Sequence, residues 1–334
     1  MRYWITGMMA ATAVLAMPVE AQQPRARTAT AISAGDRQQG ATANPQLIKE
    51  FGGAYTGPQA AYVERVGRRV AVESGLSNAG SDFTVTTLDS PIENAFAIPG
   101  GYIYITRQLL GLMNSEAELA SVLGHEVGHV AARHAAGRNT RSTIGALLAA
   151  GAGIATGSDI ASRVVGTGAQ LYTLRYGRNQ EYEADALGVR YMTAAGYDPY
   201  AAADILSALD ASSGLSAQAA GTAGRSVPTW ASTHPNGEDR VRRAVQLAAA
   251  TGKPETAPAQ DTRFLRMLDG LPYGKDSDRQ VIRVVTVGPR DSVTSLSARM
   301  AVPQLKRERF LTLNGLSPEQ PLKPGTLVKL VVAR

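Results

Sequence analysis

The sequence contains no cysteine, which excludes disulfide bonds, thiol catalysis and the lipidated cysteine that anchors bacterial lipoproteins. Histidine is also scarce, with 4 in 334 residues, so histidines that share one helical face are strong candidates for metal ligands. Aromatic residues make up only 6% of the chain, whereas 44% is hydrophobic and 34 residues are glycine. This composition predicts a folded chain whose helices pack closely through small side chains.

Two further features are missing, namely blocks of like charge and long apolar runs. The net charge is +6, but acidic and basic residues are scattered, so we expect no nucleic-acid partner. The apolar runs Trp4 to Met17 and Ile144 to Ala155 have 14 and 12 residues, fewer than the roughly 20 that a membrane span needs. We therefore expect membrane association to be peripheral at most. The run from Ile144 to Ala155 is interpreted either as a core helix or as a movable cover.

The N-terminus is typical of a secretory signal, with Arg2 before the apolar run and Val19-Glu20-Ala21 as a cleavage site. The alternative is a retained membrane anchor. Export predicts a periplasmic protein, associated with the outer membrane or the cell wall in one version of this hypothesis. The predicted organisation is a signal peptide at 1–21, a disordered tether at 22–43, a main domain at 44–250, a linker at 251–278 and a C-terminal module at 279–334.

Two helices of the main domain are predicted from their patterns. Ser115 followed by Glu118 forms a capping box before a mostly apolar helix that ends near Ala136. A second helix runs from about Gln180 to Ala195. Two short β-prone runs, Asn94 to Ile98 and Tyr102 to Thr106, flank a Pro-Gly-Gly turn and predict a hairpin, while Ser212 to Arg225 is predicted to be a loop.

The first helix carries the motif His125-Glu126-Val127-Gly128-His129. Its two imidazoles lie one turn apart on the same face, which is the geometry that two ligands of a tetrahedral metal require. Zinc suits imidazole and carboxylate ligands with one open position, whereas iron would need a comparable triad. We expect Glu126 to act as the general base.

The second helix offers the third ligand. The apolar residues of this helix form one face that is predicted to point into the core, and Glu181 and Asp185 extend that face. Glu183 points about 160° away from the centre of the face and is predicted to be solvated. Glu181 is therefore the predicted ligand, and Asp185 the predicted acceptor for an imidazole N–H or an arginine. The alternative is that Glu181 forms an ion pair with Arg175 or Arg178.

These residues resemble the zinc metallopeptidases that include the CAAX prenyl protease, HtpX and BepA. The resemblance runs from about residue 45 to residue 250. It rests on Asn94-Ala95-Phe96-Ala97-Ile98-Pro99-Gly100-Gly101, on the His125 motif followed by Ala132-Arg133-His134, on Glu181 with Asp185, and on Thr233-His234-Pro235 with Arg240. It implies an α+β fold of gluzincin type, mostly helical with a small sheet, and one Zn²⁺ per chain. It also implies that Asn94, Ala95, Phe96 and Ala97 bind an extended substrate backbone at the sheet edge.

Two other histidines need separate roles. His134 lies about half a turn from the ligand face, so it is predicted to form a structural hydrogen bond rather than to bind metal. We hypothesise that His234 faces the zinc, either as a transition-state donor or as a cap on the open metal position; the alternative is an ordinary loop histidine.

The C-terminal module shows the order strand, helix, helix, strand between Ile282 and Val332. Its segments Asp291-Ser292-Val293 and Leu313-Asn314-Gly315-Leu316 resemble the LysM module, which binds N-acetylglucosamine polymers. This predicts either docking to peptidoglycan or a degenerate packing module.

The sequence thus predicts an exported zinc endopeptidase that cleaves unfolded, misfolded or misassembled envelope proteins. A non-catalytic chaperone or outer-membrane assembly factor using the same groove is the main alternative, although a holding site has no need of Glu126 beside the metal. A peptidoglycan hydrolase is a third hypothesis.

Overall fold

The computed structural model describes residues 31–76, 79–136, 176–219, 230, 234, 237–256 and 259–334. The predicted signal peptide and the apolar run from Ile144 to Ala155 lie outside the described residues. The helices of the described chain are α1 Ala34–Glu50, α2 Pro58–Val72, α3 Ala79–Asp82, α4 Arg107–Leu112, α5 Glu116–Ala131, α6 Arg178–Ala194, α7 Ala201–Ala219, α8 Gly237–Ala250, α9 Thr262–Met267, α10 Val293–Ala298 and α11 Lys306–Leu313. Among these helices, none combines the length and the apolar character that crossing a membrane requires.

A sheet of three strands carries the predicted hairpin. Its strands are β1 (Thr84–Leu88), β2 (Ala95–Ile98) and β3 (Tyr102–Thr106), in the order β1-β3-β2. Strand β2 pairs antiparallel with β3 through a turn in which Gly100 and Gly101 both have positive φ, and β1 pairs parallel with β3. The hairpin prediction is confirmed, and β2 lies at the edge of the sheet.

Helix α5 begins with the predicted Ser115 cap, whose hydroxyl accepts a hydrogen bond from the Glu118 N–H at 3.1 Å. The second half of the predicted capping box is different, because the Glu118 carboxylate accepts from the Asn114 N–H instead. The helix ends at Ala131. Its apolar residues are buried beneath the sheet and against α2, α6 and α7.

Glycines let α5 and α6 cross at very short range. A Cβ atom added at Gly188 of α6 would lie 2.9 Å from the backbone nitrogen of His125, and one at Gly128 of α5 would lie 3.0 Å from the carbonyl oxygen of Ala184. Only residues without a Cβ fit these positions without a shift. The prediction of tight packing through small residues is therefore confirmed where the two helices that carry the candidate ligands meet.

The N-terminal prediction was wrong in part. Residues 34–43, assigned to a disordered tether, form the first half of α1. The helix is held by tertiary contacts that its weak apolar pattern does not show, since Ala43 is fully buried and a Cβ at Gly40 would overlap the Pro99 carbonyl of the hairpin turn. Helix α1 therefore covers one side of the sheet.

Two later segments also differ from the prediction. Helix α7 continues to Ala219, so the first part of the predicted loop from Ser212 to Arg225 is helical. The predicted linker 251–278 contains α9 and the short strand β4 (Pro272–Tyr273), and Phe264, Leu268 and Leu271 are fully buried in the main core. These apolar side chains make the segment part of the folded unit.

The C-terminal module contains β5 (Gln280–Thr286), α10, α11 and β6 (Leu327–Ala333), in the predicted order. Strands β4, β5 and β6 form a second antiparallel sheet in that order. The module has its own apolar cluster, but Ile282 of β5 is buried in the main core. The resemblance to LysM stays a prediction.

Candidate metal centre

Three buried side chains from α5 and α6 converge at the crossing of the two helices. The Nε2 atoms of His125 and His129 lie 2.9 Å apart, and the Glu181 carboxylate oxygens lie 3.5 Å and 3.6 Å from them. All three residues are less than 5% exposed. Ligands about 2.0–2.1 Å from a tetrahedral zinc ion are roughly 3.4 Å from one another, so these separations suit one such ion. The structure thus brings together the three predicted ligands.

His234 joins the same cluster from a different part of the chain. Its Nδ1 lies 3.0 Å from Glu181 Oε2 and 3.3 Å from His125 Nε2, and the four side chains offer ligand atoms within 4.8 Å of one another. Trp230 stacks on the His234 ring at a centroid distance of 4.5 Å. Burial lowers the pKa of His234, but the adjacent Glu181 carboxylate outweighs burial, so the pKa lies above its ordinary value.

Glu126 differs from every other carboxylate of the cluster. It is fully buried, and neither of its carboxylate oxygens has a hydrogen-bond partner among the described residues. The nearest cation-forming group is His234, whose Nε2 lies 3.8 Å from Glu126 Oε1. Burial raises the pKa of Glu126 to about 7. Because buried polar atoms are nearly always paired, this carboxylate is placed for a small polar ligand such as water.

Asp185 and Arg240 support the centre from behind. The Nδ1 atom of His125 lies 2.9 Å from Asp185 Oδ1, and Arg240 donates to both Asp185 oxygens at 2.6 Å and 2.7 Å. Arg240 also lies 3.1 Å from Glu181 Oε2 and donates to the His234 carbonyl at 3.2 Å. Although burial opposes it, the Arg240 charge lowers the pKa of Asp185 well below its ordinary value.

The donor set and the charges fit a divalent zinc ion. Three buried carboxyl groups, those of Glu126, Glu181 and Asp185, face the buried guanidinium of Arg240. Such a centre lacks positive charge, which a bound dication would supply. Two imidazole nitrogens with a carboxylate oxygen are a typical zinc ligand set, and the unpaired Glu126 oxygens lie beside it.

His134 and Glu183 form a contact that the sequence analysis missed. His134 Nδ1 lies 2.9 Å from His129 Nδ1, and His134 Nε2 lies 3.2 Å from Glu183 Oε2. Glu183 was predicted to be solvated, but its side chain is only 33% exposed because it contacts His134. The helical pattern of α6 could not show this contact, since His134 comes from a separate 3₁₀ turn (His134–Ala136) after α5. Burial lowers the pKa of His134.

The predicted substrate strand presents its backbone, and not its side chains, to the open edge. Asn94 accepts a hydrogen bond from Thr106 N–H of β3, so the carbonyls of Ala95 and Ala97 point the other way. Phe96 packs against Phe51 and Tyr104 in the core under α1. Of the four predicted substrate residues, only Ala95 and Ala97 therefore expose pairing groups at the edge.

Two side chains of the metal centre already contact these carbonyls. His234 Nε2 lies 3.4 Å from Ala95 O, and the Tyr176 hydroxyl donates to Ala97 O at 3.4 Å. Tyr176 also stacks on His129, with ring centroids 3.8 Å apart. Sequence analysis missed Tyr176 because it precedes α6 outside any periodic pattern; its only sequence signal is an aromatic residue just before the acid-bearing helix.

Comparisons with known proteins agree with this geometry. A sequence profile described as Peptidase family M48 matches residues 58–248, more than half of the chain. The mitochondrial metalloendopeptidase OMA1 of Schizosaccharomyces pombe is 32% identical over 203 residues, which are 60% of this chain and 56% of that protein. The OMA1 of Arabidopsis thaliana is 33% identical over 168 residues, 50% of this chain and 32% of that protein. The beta-barrel assembly-enhancing protease of Yersinia pestis is 27% identical over 227 residues, 65% of this chain and 44% of that protein. The chain thus spans from about a third to just over half of the length of these relatives.

Proposed function

The chain belongs to peptidase family M48, whose members are zinc-dependent metallopeptidases, and on this premise we propose that it is a zinc endopeptidase. His125, His129 and Glu181 hold the metal in this proposal, and Glu126 is the general base. The observation that carries it is the buried Glu126 carboxylate, which lacks a partner directly beside a ligand set that suits zinc. A purely structural metal site would have no use for such a group.

The chemistry divides between the metal and the side chains. When bound, zinc would lower the pKa of a coordinated water towards about 7 and polarise the scissile carbonyl. Glu126 accepts the proton of the attacking water on a carboxylate oxygen and transfers it to the leaving amine. Asp185 accepts the Nδ1 hydrogen of His125, and Arg240 holds Asp185 and Glu181 in place.

The substrate is a protein segment in extended conformation. The outward carbonyls of Ala95 and Ala97 accept hydrogen bonds from a substrate strand that pairs with β2. Such pairing requires an unfolded segment, because residues of a folded domain have already paired their backbone groups. The Tyr176 and His234 contacts to these carbonyls must be exchanged for substrate N–H groups as the strand enters.

Misfolded or misassembled envelope proteins are the proposed substrates. Support comes from the signal-like N-terminus and from the similarity to the beta-barrel assembly-enhancing protease, whereas the OMA1 relatives are mitochondrial. In this proposal the protein is periplasmic, and its C-terminal module docks it to peptidoglycan or to a partner. Mass analysis of the protein from an envelope fraction tests the export step, and a mass that includes residues 1–21 contradicts cleavage after Ala21.

The catalytic proposal is tested with the purified full chain and unfolded casein. Glu126→Gln is expected to reduce cleavage at least about 100-fold while the zinc content stays at one per chain. Glu319→Gln, at an exposed position of the C-terminal module, is the control and should cleave like the parent. Undiminished cleavage by Glu126→Gln would remove the proposed base. A parent protein that prevents casein aggregation without cutting it would favour the chaperone hypothesis.

A further inference from the structure

The two imidazoles of α5 are held by different kinds of partner. His125 Nδ1 contacts the Asp185 carboxylate directly at 2.9 Å. Within the described residues, no carboxylate lies within hydrogen-bond distance of His129 Nδ1, which instead contacts the ring nitrogen His134 Nδ1 at 2.9 Å. Metal-binding histidines usually donate their second N–H to a carboxylate, a carbonyl or water, so a second imidazole in this place needs an explanation.

The position of each hydrogen follows from the chain of contacts. An ionised carboxylate only accepts, so the contact between Glu183 Oε2 and His134 Nε2 at 3.2 Å places a hydrogen on His134 Nε2. A neutral His134 then has a lone pair on Nδ1. A short nitrogen to nitrogen contact needs one hydrogen between the two atoms, and here His129 Nδ1 must supply it. His129 Nε2 is thereby left with its lone pair, and this is the atom that faces His125 Nε2 and Glu181. The Asp185 contact likewise places the His125 hydrogen on Nδ1, so both Nε2 atoms, 2.9 Å apart, present lone pairs, and a metal cation rather than a hydrogen fits between them.

The opposite arrangement would disable the ligand. If His134 donated through Nδ1, the hydrogen of a neutral His129 would move to Nε2, and that nitrogen could no longer bind a metal. The Glu183 contact selects the first arrangement, because an ionised carboxylate cannot donate to a lone pair on His134 Nε2. Arg133, between α5 and the 3₁₀ turn, has a left-handed φ of 56°, so the chain leaves the helical path immediately before His134.

We infer that Glu183 and His134 form a relay that fixes the tautomer of His129 and presents its Nε2 lone pair to the metal. The inference rests on the proposed function, because it takes His129 as a zinc ligand. His134 and Glu183 are positioning residues, since both act through His129 and neither touches the site of reaction. The relay gives His129 the orientation that Asp185 gives His125.

The test measures zinc affinity of the full chain by competition with a chromophoric chelator. His134→Leu removes the acceptor and is expected to weaken zinc binding about 10–100-fold, as loss of such outer partners does. His134→Gln supplies an amide oxygen for His129 and an amide N–H for Glu183, so it should restore affinity to within a few-fold of the parent. Glu183→Gln should weaken binding by about 10-fold, whereas Glu238→Gln, exposed at the start of α8, is the matched control and should not.

A second measurement does not depend on any variant. The ring ¹⁵N–¹H spectrum of the parent should show His129 with its hydrogen on Nδ1 and His134 with its hydrogen on Nε2. A hydrogen on His129 Nε2 in the metal-free chain, or parental zinc affinity in His134→Leu, would overturn the relay. If the parent itself bound no zinc, or if Glu126→Gln still cleaved casein, the proposed function would fail instead, so the two failures are distinguishable.

Discussion

Two buried polar regions lie towards opposite ends of α5. They differ in whether their buried charged group has hydrogen-bond partners. At the start of α5, Lys329 of β6 is fully buried and donates to the carbonyls of Gly111, Leu112 and Met113 at 2.8, 3.0 and 2.6 Å. We call this contact between the C-terminal module and the end of α4 the lysine seam. Burial lowers the pKa of Lys329 to about 7, although the Glu118 charge opposes this, and in its protonated form every ammonium hydrogen has an acceptor there. Near the other end, both oxygens of Glu126 have no partner among the described residues.

This difference separates a buried charge that only stabilises the fold from one for which we propose a catalytic role. An ammonium with three acceptors at the C-terminal end of a helix is stabilised by the hydrogen bonds and the helix dipole, and it offers nothing to a ligand. A buried carboxylate without a partner, such as that of Glu126, lowers the free energy of unfolding. Its presence therefore favours a chemical role over a structural one. The lysine seam also shows that the C-terminal module is packed onto the peptidase domain. Arg107 donates to Pro272 O and Gly274 O at 3.2 Å and 3.0 Å, and so holds the β4 segment that pairs with β5 of the module.

The largest expected effect comes from removing the positive charge of the metal centre. Arg240→Met leaves the buried Asp185 and Glu181 carboxylates without their guanidinium partner, and we expect a loss of about 3–5 kcal/mol in the free energy of unfolding without metal. Added zinc should recover part of that loss, because the ion compensates the same carboxylates. Denaturant unfolding with and without zinc measures both quantities.

The control for this change lies on the same helix. Arg242 is exposed, and among the described residues its ion-pair partner is Asp239, so Arg242→Met should change the free energy of unfolding by less than about 1 kcal/mol. Equal effects of the two substitutions would mean that Arg240 does not compensate the metal centre.

The next effect concerns the lysine seam. Lys329→Met removes the ammonium donor from three buried carbonyls, of which only Leu112 O keeps a side-chain donor among the described residues, the Asn114 amide. We expect a loss of about 2–4 kcal/mol in the free energy of unfolding. Casein cleavage by the fraction that remains folded should stay at the parental level, since the seam touches none of the metal-centre residues. Lys323→Met, at an exposed position in the same module, should leave both stability and cleavage unchanged. A folded Lys329→Met protein with impaired cleavage would contradict the separation of the two regions.

The sequence predicted the metal centre better than the lysine seam because the two regions depend on different kinds of pattern. His125, His129 and Glu181 lie on two helices whose 3.6-residue periodicity identifies the inward face before any coordinates are known. The hairpin follows in the same way from a Pro-Gly-Gly turn between two β-prone runs. Local periodicity thus sufficed for these elements.

The remaining features depend on contacts between distant segments. In the sequence, Lys329 is an ordinary charged residue of a strand. Its acceptors are carbonyls at the end of α4, more than 200 residues earlier in the chain, and no local pattern connects the two segments. The helical first half of α1 and the burial of Phe264 likewise depend on surfaces formed elsewhere. The His134 contact to Glu183 was missed for the same reason, since a helical projection of α6 contains no information about the turn after α5.

The third prediction tests how far the metal centre depends on close helix packing. A Cβ at Gly188 would meet the His125 backbone nitrogen at 2.9 Å, so Gly188→Ala should push α5 and α6 apart and cost about 1–3 kcal/mol in the free energy of unfolding. Zinc affinity should fall as well, because Glu181 moves relative to the imidazoles. Gly214 of α7 has open space around it, and Gly214→Ala should instead stabilise the protein by about 0.5–1 kcal/mol. Chelator competition measures the zinc affinity of both variants, and thermal unfolding measures their stability. Unchanged zinc affinity in Gly188→Ala would show that the close crossing of α5 and α6 does not set the positions of the ligands.

The smallest expected effect is a pH dependence confined to the lysine seam. Burial raises the pKa of Glu118 to about 7 from an ordinary value of 4.5, although the Asn114 N–H and Lys329 oppose this. Between pH 4.5 and 7 the folded state keeps a proton that the unfolded state releases, so this group makes the free energy of unfolding fall as pH rises. Glu118→Gln removes the titration, and its stability relative to the parent should increase by about 1 kcal/mol between pH 5 and pH 6.

Groups of the metal centre titrate equally in both proteins and cancel in that difference. Glu319→Gln, which removes an exposed carboxylate, should show a constant difference from the parent over the same range. Should the Glu118→Gln difference also stay constant, Glu118 would be ionised throughout the window. Glu118 would then carry its charge throughout, as a carboxylate that accepts from the Asn114 N–H, and its contrast with the unpaired Glu126 carboxylate would rest on hydrogen bonding alone.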